Sequence, residues 1–295
     1  MSDFVQHKSS SCSFDTSSYW VILSPIEMSI KKKIETIGIP LRKWNVKINY
    51  GIKTGLNEAF IIDAKKRNEI LCNCSNEEER TRTDEIIRPI LRGKDIEKYS
   101  YSWKNLYLIN FHNGIQEEKV NALKIENYPV LKKHFDNYMP QLKNRTDQGD
   151  SPYNLRSCSY MEEFNKQKII YPCIMGDGPH FMLDKEGIFY TFAPGNIITG
   201  NDLYYLLGFL CSRTFYFCFR KYYMGGGIDG EVKTNRILSF PIPLPNNCNH
   251  ASLIIELAER VSNCQKQELY EMLEKHIQKA YQFSDDEIKI INDFS

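Results

Sequence analysis

Residues 203–219 read Leu-Tyr-Tyr-Leu-Leu-Gly-Phe-Leu-Cys-Ser-Arg-Thr-Phe-Tyr-Phe-Cys-Phe, the most apolar stretch of the chain. A run of that kind must be taken out of water, in a bilayer or in a protein core. It is short for a membrane span, it contains Ser212 and Arg213, and Arg220 and Lys221 follow it directly. The expectation is a buried core helix, capped at Asn201 or Asp202, running to about Tyr222 and stopped by Gly225-Gly226-Gly227. The chain must then supply enough other apolar surface to wrap that helix. Of its 295 residues, 42% are apolar and 13% aromatic, which suffices for one large or two modest domains.

Short strand-like runs precede the core helix. They are residues 20–23, 59–62, 106–111, 168–174, 181–184 and 188–192, the last two joined by a turn at Lys185-Glu186-Gly187. Residues 26–38 and 117–138 read as helical, the latter broken at Pro129. Pro241, Pro243 and Pro245 force an extended segment over 240–244. Beyond Asn246-Asn247 the pattern becomes helical. Ile254, Leu257, Ala258 and Val261 share one face, Leu269, Met272, Leu273, Ile277 and Ala280 continue the stripe, and Ser284 with Glu287 forms a capping box. These features predict an α+β fold: a Ser-rich tail over 1–18, a mixed-sheet domain over 19–245, and a C-terminal helical segment over 246–295. That segment reads as a helical arm more readily than as a lid on the core.

The formal net charge is only +1, so any anionic partner must be met by local clustering. Residues 31–53 carry seven basic side chains against one acid, and 213–236 carry five against two. Residues 268–287 reverse this, with six acids against two lysines. The charge is segregated along the chain, either as a basic face and an acidic end or as solvated helix faces. The nine cysteines are scattered with no signal peptide before them, which suits reduced thiols and a cytoplasmic location. Cys72 and Cys74 have no second pair to complete a zinc site.

Catalytic motifs are missing. The chain has no Pro-Pro pair for an [DN]-P-P-[YFW] amino-methylation clamp, no Gly-rich turn after a first strand, no P-loop and no G-x-S-x-G elbow. A metal-dependent nuclease would need E-x-K with an upstream acid. Glu231-x-Lys233 near Asp229 fits no better than Glu117-x-Lys119 or Glu287-x-Lys289. The expectation is a binding or specificity module with no catalytic residue, metal or cofactor of its own. A small nuclease using Glu231 and Lys233, a protein-interaction adaptor and a truncated remnant are the rivals.

Four blocks carry a resemblance. They are Tyr50-Gly51-Ile52-Lys53-Thr54-Gly55-Leu56-Asn57-Glu58-Ala59-Phe60, then Ile87-Arg88-Pro89-Ile90-Leu91-Arg92-Gly93-Lys94-Asp95-Ile96, then 153–160 with Phe164 and 168–172, and finally 201–208 through 238–243. In order and spacing they resemble the TaqI-like C-terminal specificity domain of single-chain restriction enzymes and methyltransferases, which is similar to the target-recognition domains of type I specificity subunits. The resemblance implies a module that holds a short double-stranded DNA site while a methyltransferase or endonuclease domain or subunit performs the chemistry, with no membrane involved. In that family the catalytic regions precede the domain, whereas here Met1 stands almost at its start. A separate specificity subunit, a split product, a truncation and a fragment all fit.

Nine residues are the candidate DNA contacts. Lys53 and Thr54 lie on the Gly51/Gly55 turn, where amides and a cation can meet a phosphate, or where glycine simply makes a β-turn. Arg88, Arg92 and Lys94 sit on one turn segment, for DNA contact or for pairing with Asp95. Arg156 can read guanine and Tyr160 can stack or hold phosphate, or both can brace the structure. Lys233 and Arg236 follow the glycine-rich stretch 225–230, either on a loop that orders along a groove or after a plain helix stop.

Overall fold

The computed structural model describes residues 23–115, 119–225 and 230–294. The expected tail, the strand expected at 20–23 except for Leu23, and Asp229 lie outside them. The chain folds as two compact units: Met1–Val46, Ile174–Pro179 and Asn201–Ser295 form one, and Lys47–Cys173 with His180–Gly200 forms the other. The boundary expected at residue 245 is not a boundary between these units. The fold is α+β with mixed sheets, as the strand and helix patterns imply.

The second unit holds two four-stranded sheets. One runs in the order Met182–Asp184, Lys168–Pro172, Gly195–Gly200 and Val46–Tyr50. Its centre is Lys168–Pro172, buried throughout because both faces are covered. The other runs Tyr190–Thr191, Ile87–Leu91, Leu106–Ile109 and Ile61–Asp63. The first pair there is parallel, with Tyr190 opposite Ile90, and the next two are antiparallel. Phe60, Phe111, Phe135 and Tyr128 pack into one aromatic cluster, with Phe60 and Phe135 ring centroids 5.0 Å apart. A buried ion pair, Lys168 Nζ to Asp184 at 2.6 Å, lies in this unit, and Asp184 also accepts the backbone amides of Ile188 and Phe189.

Two expectations in this unit are corrected. Residues 59–62 were expected as strand, but Asn57–Phe60 is one helical turn and the strand is Ile61–Asp63. Thr54 Oγ1 donates to Asn57 Oδ1 at 2.6 Å and ties the start of that turn. The helix expected over 117–138 shrinks to Pro129–Asp136, where Pro129 takes the first-turn position open to it. Before it, Asn113–Ile115 pairs with Val120–Ala122 as a hairpin, and Lys119 adopts the left-handed conformation.

The first unit is mainly helical. The core run folds as Leu203–Leu210 and Arg213–Cys218, continued by a π-helical turn over Phe219–Tyr223. The single helix expected there breaks because Ser212 caps a new one, its Oγ accepting from Phe215 N at 2.9 Å. Asp202 occupies the capping position of the first segment in a left-handed conformation but does not cap it with its side chain. Ala251–Asn263, Gln267–Ala280 and Asp285–Asn292 then cover these helices. Gly208 allows the closest approach, since a Cβ there would lie 3.1 Å from Ile254 Cγ2 and 3.4 Å from Ala258 Cβ. The C-terminal segment is therefore the lid of this unit rather than a projecting arm. No described helix is long and apolar enough to cross a membrane.

Candidate nucleic-acid interface

The second unit brings four of the nine candidates to one place. The strand Val46–Tyr50 ends at Gly51, which runs so close to residues 192–193 that a Cβ would lie 2.5 Å from the Phe192 carbonyl carbon. The chain then turns outward. Lys53 is exposed, while Thr54 is buried beneath it. Residues 50–53 and 156–160 line an open groove of 280 Å³, which contains Lys53, Arg156, Tyr160 and the exposed ring of Tyr50. Next to it, residues 52–58, Asp147 and Ala193 line a second hollow of 370 Å³, which Thr54 also borders.

Arg156 is exposed and ion-paired with Asp147, Nη1 to Oδ1, at 3.1 Å. Tyr160 is half-buried, and its ring lies 6.3 Å from that of Phe164. Burial, with the neighbouring Cys158 thiol, pushes its phenol up to about 12. The hydroxyl therefore stays protonated and able to donate a hydrogen bond at any physiological pH.

The turn is held by a residue the sequence did not single out. Arg145 is buried; its Nη1 donates to the carbonyls of Thr54 and Asp147, and its Nη2 to those of Pro152 and Asn154. Its guanidinium also lies over the Phe60 ring, 4.6 Å from the centroid. One planar cation thereby fixes the Lys53–Thr54 turn, Asp147 and the loop leading to Arg156. Burial lowers its pKa to about 10, so it remains charged at neutral pH.

The other candidates have different situations. Arg92 makes a two-pronged ion pair with buried Asp95, at 2.8 and 2.7 Å, and Asp95 Oδ2 also accepts the Arg92 amide. Burial alone would raise the Asp95 pKa, but the Arg92 hydrogen bonds hold it below the usual range. The pairing reading thus describes Arg92. Arg88 donates to Asn165 Oδ1 at 3.1 Å and lies over the Tyr190 ring. Lys94 is exposed. Lys233 and Arg236 belong to the first unit. Lys233 is paired with Glu231 at 3.3 Å, and Arg236 packs beside Gly225, its Nη2 3.1 Å from where a Cβ would stand. Of the acids in the three E-x-K patterns and their neighbours, Asp229 and Glu117 lie outside the described residues. Glu231 and Lys233 engage each other, and Glu287 is a buried acceptor for Ser29 and Lys33. Among the described residues no group of three or more His, Cys, Asp or Glu side chains converges.

Comparison with known proteins gives these features a context. Residues 88–242 match the family model of the TaqI-like C-terminal specificity domain, just over half of the chain. The chain is 23% identical over 293 residues to type II methyltransferase M.BstVI of Geobacillus stearothermophilus, covering 93% of this chain and 46% of that protein. It thus spans about half the length of that relative. Its fold is similar to that of the type IIL restriction-modification enzyme MmeI, solved in complex with DNA, with a TM-score of 0.53 and 12% identity over 85% of this chain and 35% of that one. It is also similar to the type IIG restriction endonuclease BpuSI, with a TM-score of 0.50 and 12% identity over 88% of this chain and 33% of that one.

Proposed function

This chain belongs to the family of TaqI-like C-terminal specificity domains, and from that membership we propose that it is the DNA-recognition module of a restriction-modification system, acting through the groove between residues 50–53 and 156–160. The observation that carries the assignment is the convergence of Lys53, Arg156, Tyr160 and Tyr50 on one open surface of the second unit. Lys53 contacts backbone phosphate and sets the register on the duplex. Arg156 offers a planar fork suited to the O6 and N7 of guanine in the major groove. Tyr160 donates a hydrogen bond, and the Tyr50 ring supplies an apolar contact to sugar or a thymine methyl.

Bond-making and bond-breaking then belong to a methyltransferase or endonuclease part, joined to this module or associated with it. The reading also implies a cytoplasmic protein, where the DNA is. Lys94, Lys233 and Arg236 remain candidates for further phosphate contacts outside the groove.

The test is duplex binding by the full chain over a series of salt concentrations. Lys53→Ala should weaken binding to every sequence and reduce the salt slope by about 0.9. Arg156→Ala should flatten the preference at one base pair, at a cost of about 1–3 kcal/mol for the preferred site. A chain that ignores duplex DNA, or variants that bind like the parent, would sink the proposal.

A further inference from the structure

A second cationic point lies at the far end of the same strand. Glu163 is buried, with its side chain 9% exposed, yet three donors converge on it: Lys47 Nζ at 3.2 Å, Lys166 Nζ at 3.0 Å and Thr199 Oγ1 at 2.5 Å. Both lysines reach the carboxylate from solvent, with side chains 72% and 58% exposed. Burial opposes ionisation of Glu163, but its donors hold the pKa below the usual carboxylate range. One buried negative charge thus gathers two ammonium groups at the surface and leaves a net positive charge there. Each ammonium has three donors and uses one on Glu163, so outward-facing protons remain for an anion.

This pair and the groove share one strand. Lys47 lies on Val46–Tyr50, the edge strand of its sheet, and Tyr50 at the end of that strand lines the groove with Lys53. On the facing segment Glu163 and Lys166 follow Tyr160. At about 3.3 Å per residue, the chain from Lys47 to Lys53 spans at most about 20 Å. That upper limit exceeds the width of a major groove, about 12 Å.

We propose that Lys47 and Lys166, templated by Glu163, form a second phosphate-binding site, carried by the strand that leads into the groove. The inference rests on the reading of that groove as a DNA surface and adds to it the ligand of a second, separate site: a phosphodiester of the duplex backbone. Glu163 is a positioning residue in this arrangement, because it does not touch the DNA.

The experiment measures binding of the full chain to a random-sequence duplex over a salt series. Lys47→Gln and Lys166→Gln should each lower the salt slope by about 0.9, and the double variant by about twice that, with sequence preference unchanged. Lys47→Arg with Lys166→Arg should keep the slope. Thermal melting checks that each variant is folded. Lys65→Gln, on the exposed surface of the helix Ala64–Cys72, makes the same change in net charge and should leave the slope alone. The site is refuted if the double glutamine variant keeps the parental slope, or if Lys65→Gln lowers it equally. Should Lys53→Ala lower the slope while the Lys47 and Lys166 variants do not, only this second site falls. A parent chain indifferent to the duplex removes both.

Discussion

The guanidinium of Arg145 donates to the carbonyl oxygen of Thr54, joining two positions 91 residues apart in the sequence. It does the same for the carbonyls of Asp147, Pro152 and Asn154, so a single buried side chain organises both walls of the candidate groove. Arg145→Ala would leave those carbonyls buried without their donor. The expected cost is about 3 kcal/mol in urea unfolding, from several unsatisfied acceptors together. Arg145→Lys keeps the charge but not the planar fork, and should recover only part of that loss. Unchanged midpoints for both variants would show that the loop is held by other means.

Glu274 makes a similar connection in the first unit. From the helix Gln267–Ala280 it accepts the amides of Arg213 and Thr214 at 2.8 and 2.9 Å and the Thr214 hydroxyl at 2.6 Å, capping the helix Arg213–Cys218 from outside. Tyr281 adds a hydrogen bond to the Pro241 carbonyl at 2.7 Å. The C-terminal helices therefore complete a core that the apolar run cannot bury alone. Glu274→Ala should destabilise the chain by about 2 kcal/mol. A chain ending at residue 245 should lose the thermal transition of the first unit, keep that of the second, and bind a hydrophobic dye. A truncated chain that keeps the transition of the first unit and binds no dye would restore the helical-arm reading.

Acid should loosen the same unit through Glu287. Burial opposes its ionisation, but Lys33, Ser29 and the Ser284 amide hold its pKa below the ordinary 4.5. With the folded value below the unfolded one, the stabilisation is fully present above about pH 4.5 and is lost as pH falls through the folded value. Glu287→Gln should therefore lower stability at neutral pH and flatten its decline below that point. Parallel acid-denaturation curves for parent and variant would contradict this.

The periodicities that proved legible were those set by local chemistry. The capping box at Ser284 and Glu287 opens the last described helix, and the apolar stripes of 254–261 and 269–280 lie buried as their spacing requires, except for Met272, which is exposed. The helix over 117–138 misled because a left-handed Lys119 and a hairpin interrupt a pattern whose composition is helical. Within the candidate groove, Lys53, Arg156 and Tyr160 could be picked out from residue type and proximity to turns. Arg145 could not, because all its hydrogen-bond partners are backbone carbonyls, which carry no residue identity. Nor could Glu163, whose partners Lys47 and Thr199 come from distant strands.

Arg92 and Arg156 provide the sharpest contrast, since both were candidates for DNA contact and both face a carboxylate. The Arg92 partner, Asp95, is only 2% exposed and takes both prongs of the guanidinium. The Arg156 side chain is 58% exposed, and its single contact with Asp147 leaves the rest of its fork open to the groove. Removing Arg92 strands a buried carboxylate, so Arg92→Ala should cost about 3 kcal/mol of stability. At temperatures where that variant is folded, its DNA salt slope should equal the parent's. Arg156→Ala should do the opposite, with an unfolding change within about 0.5 kcal/mol and a measurable loss of base discrimination. Paired melting and binding measurements decide the matter. If Arg92→Ala were fully stable but deficient in DNA binding, the segment around Arg88 and Lys94 would have to be read as part of the interface.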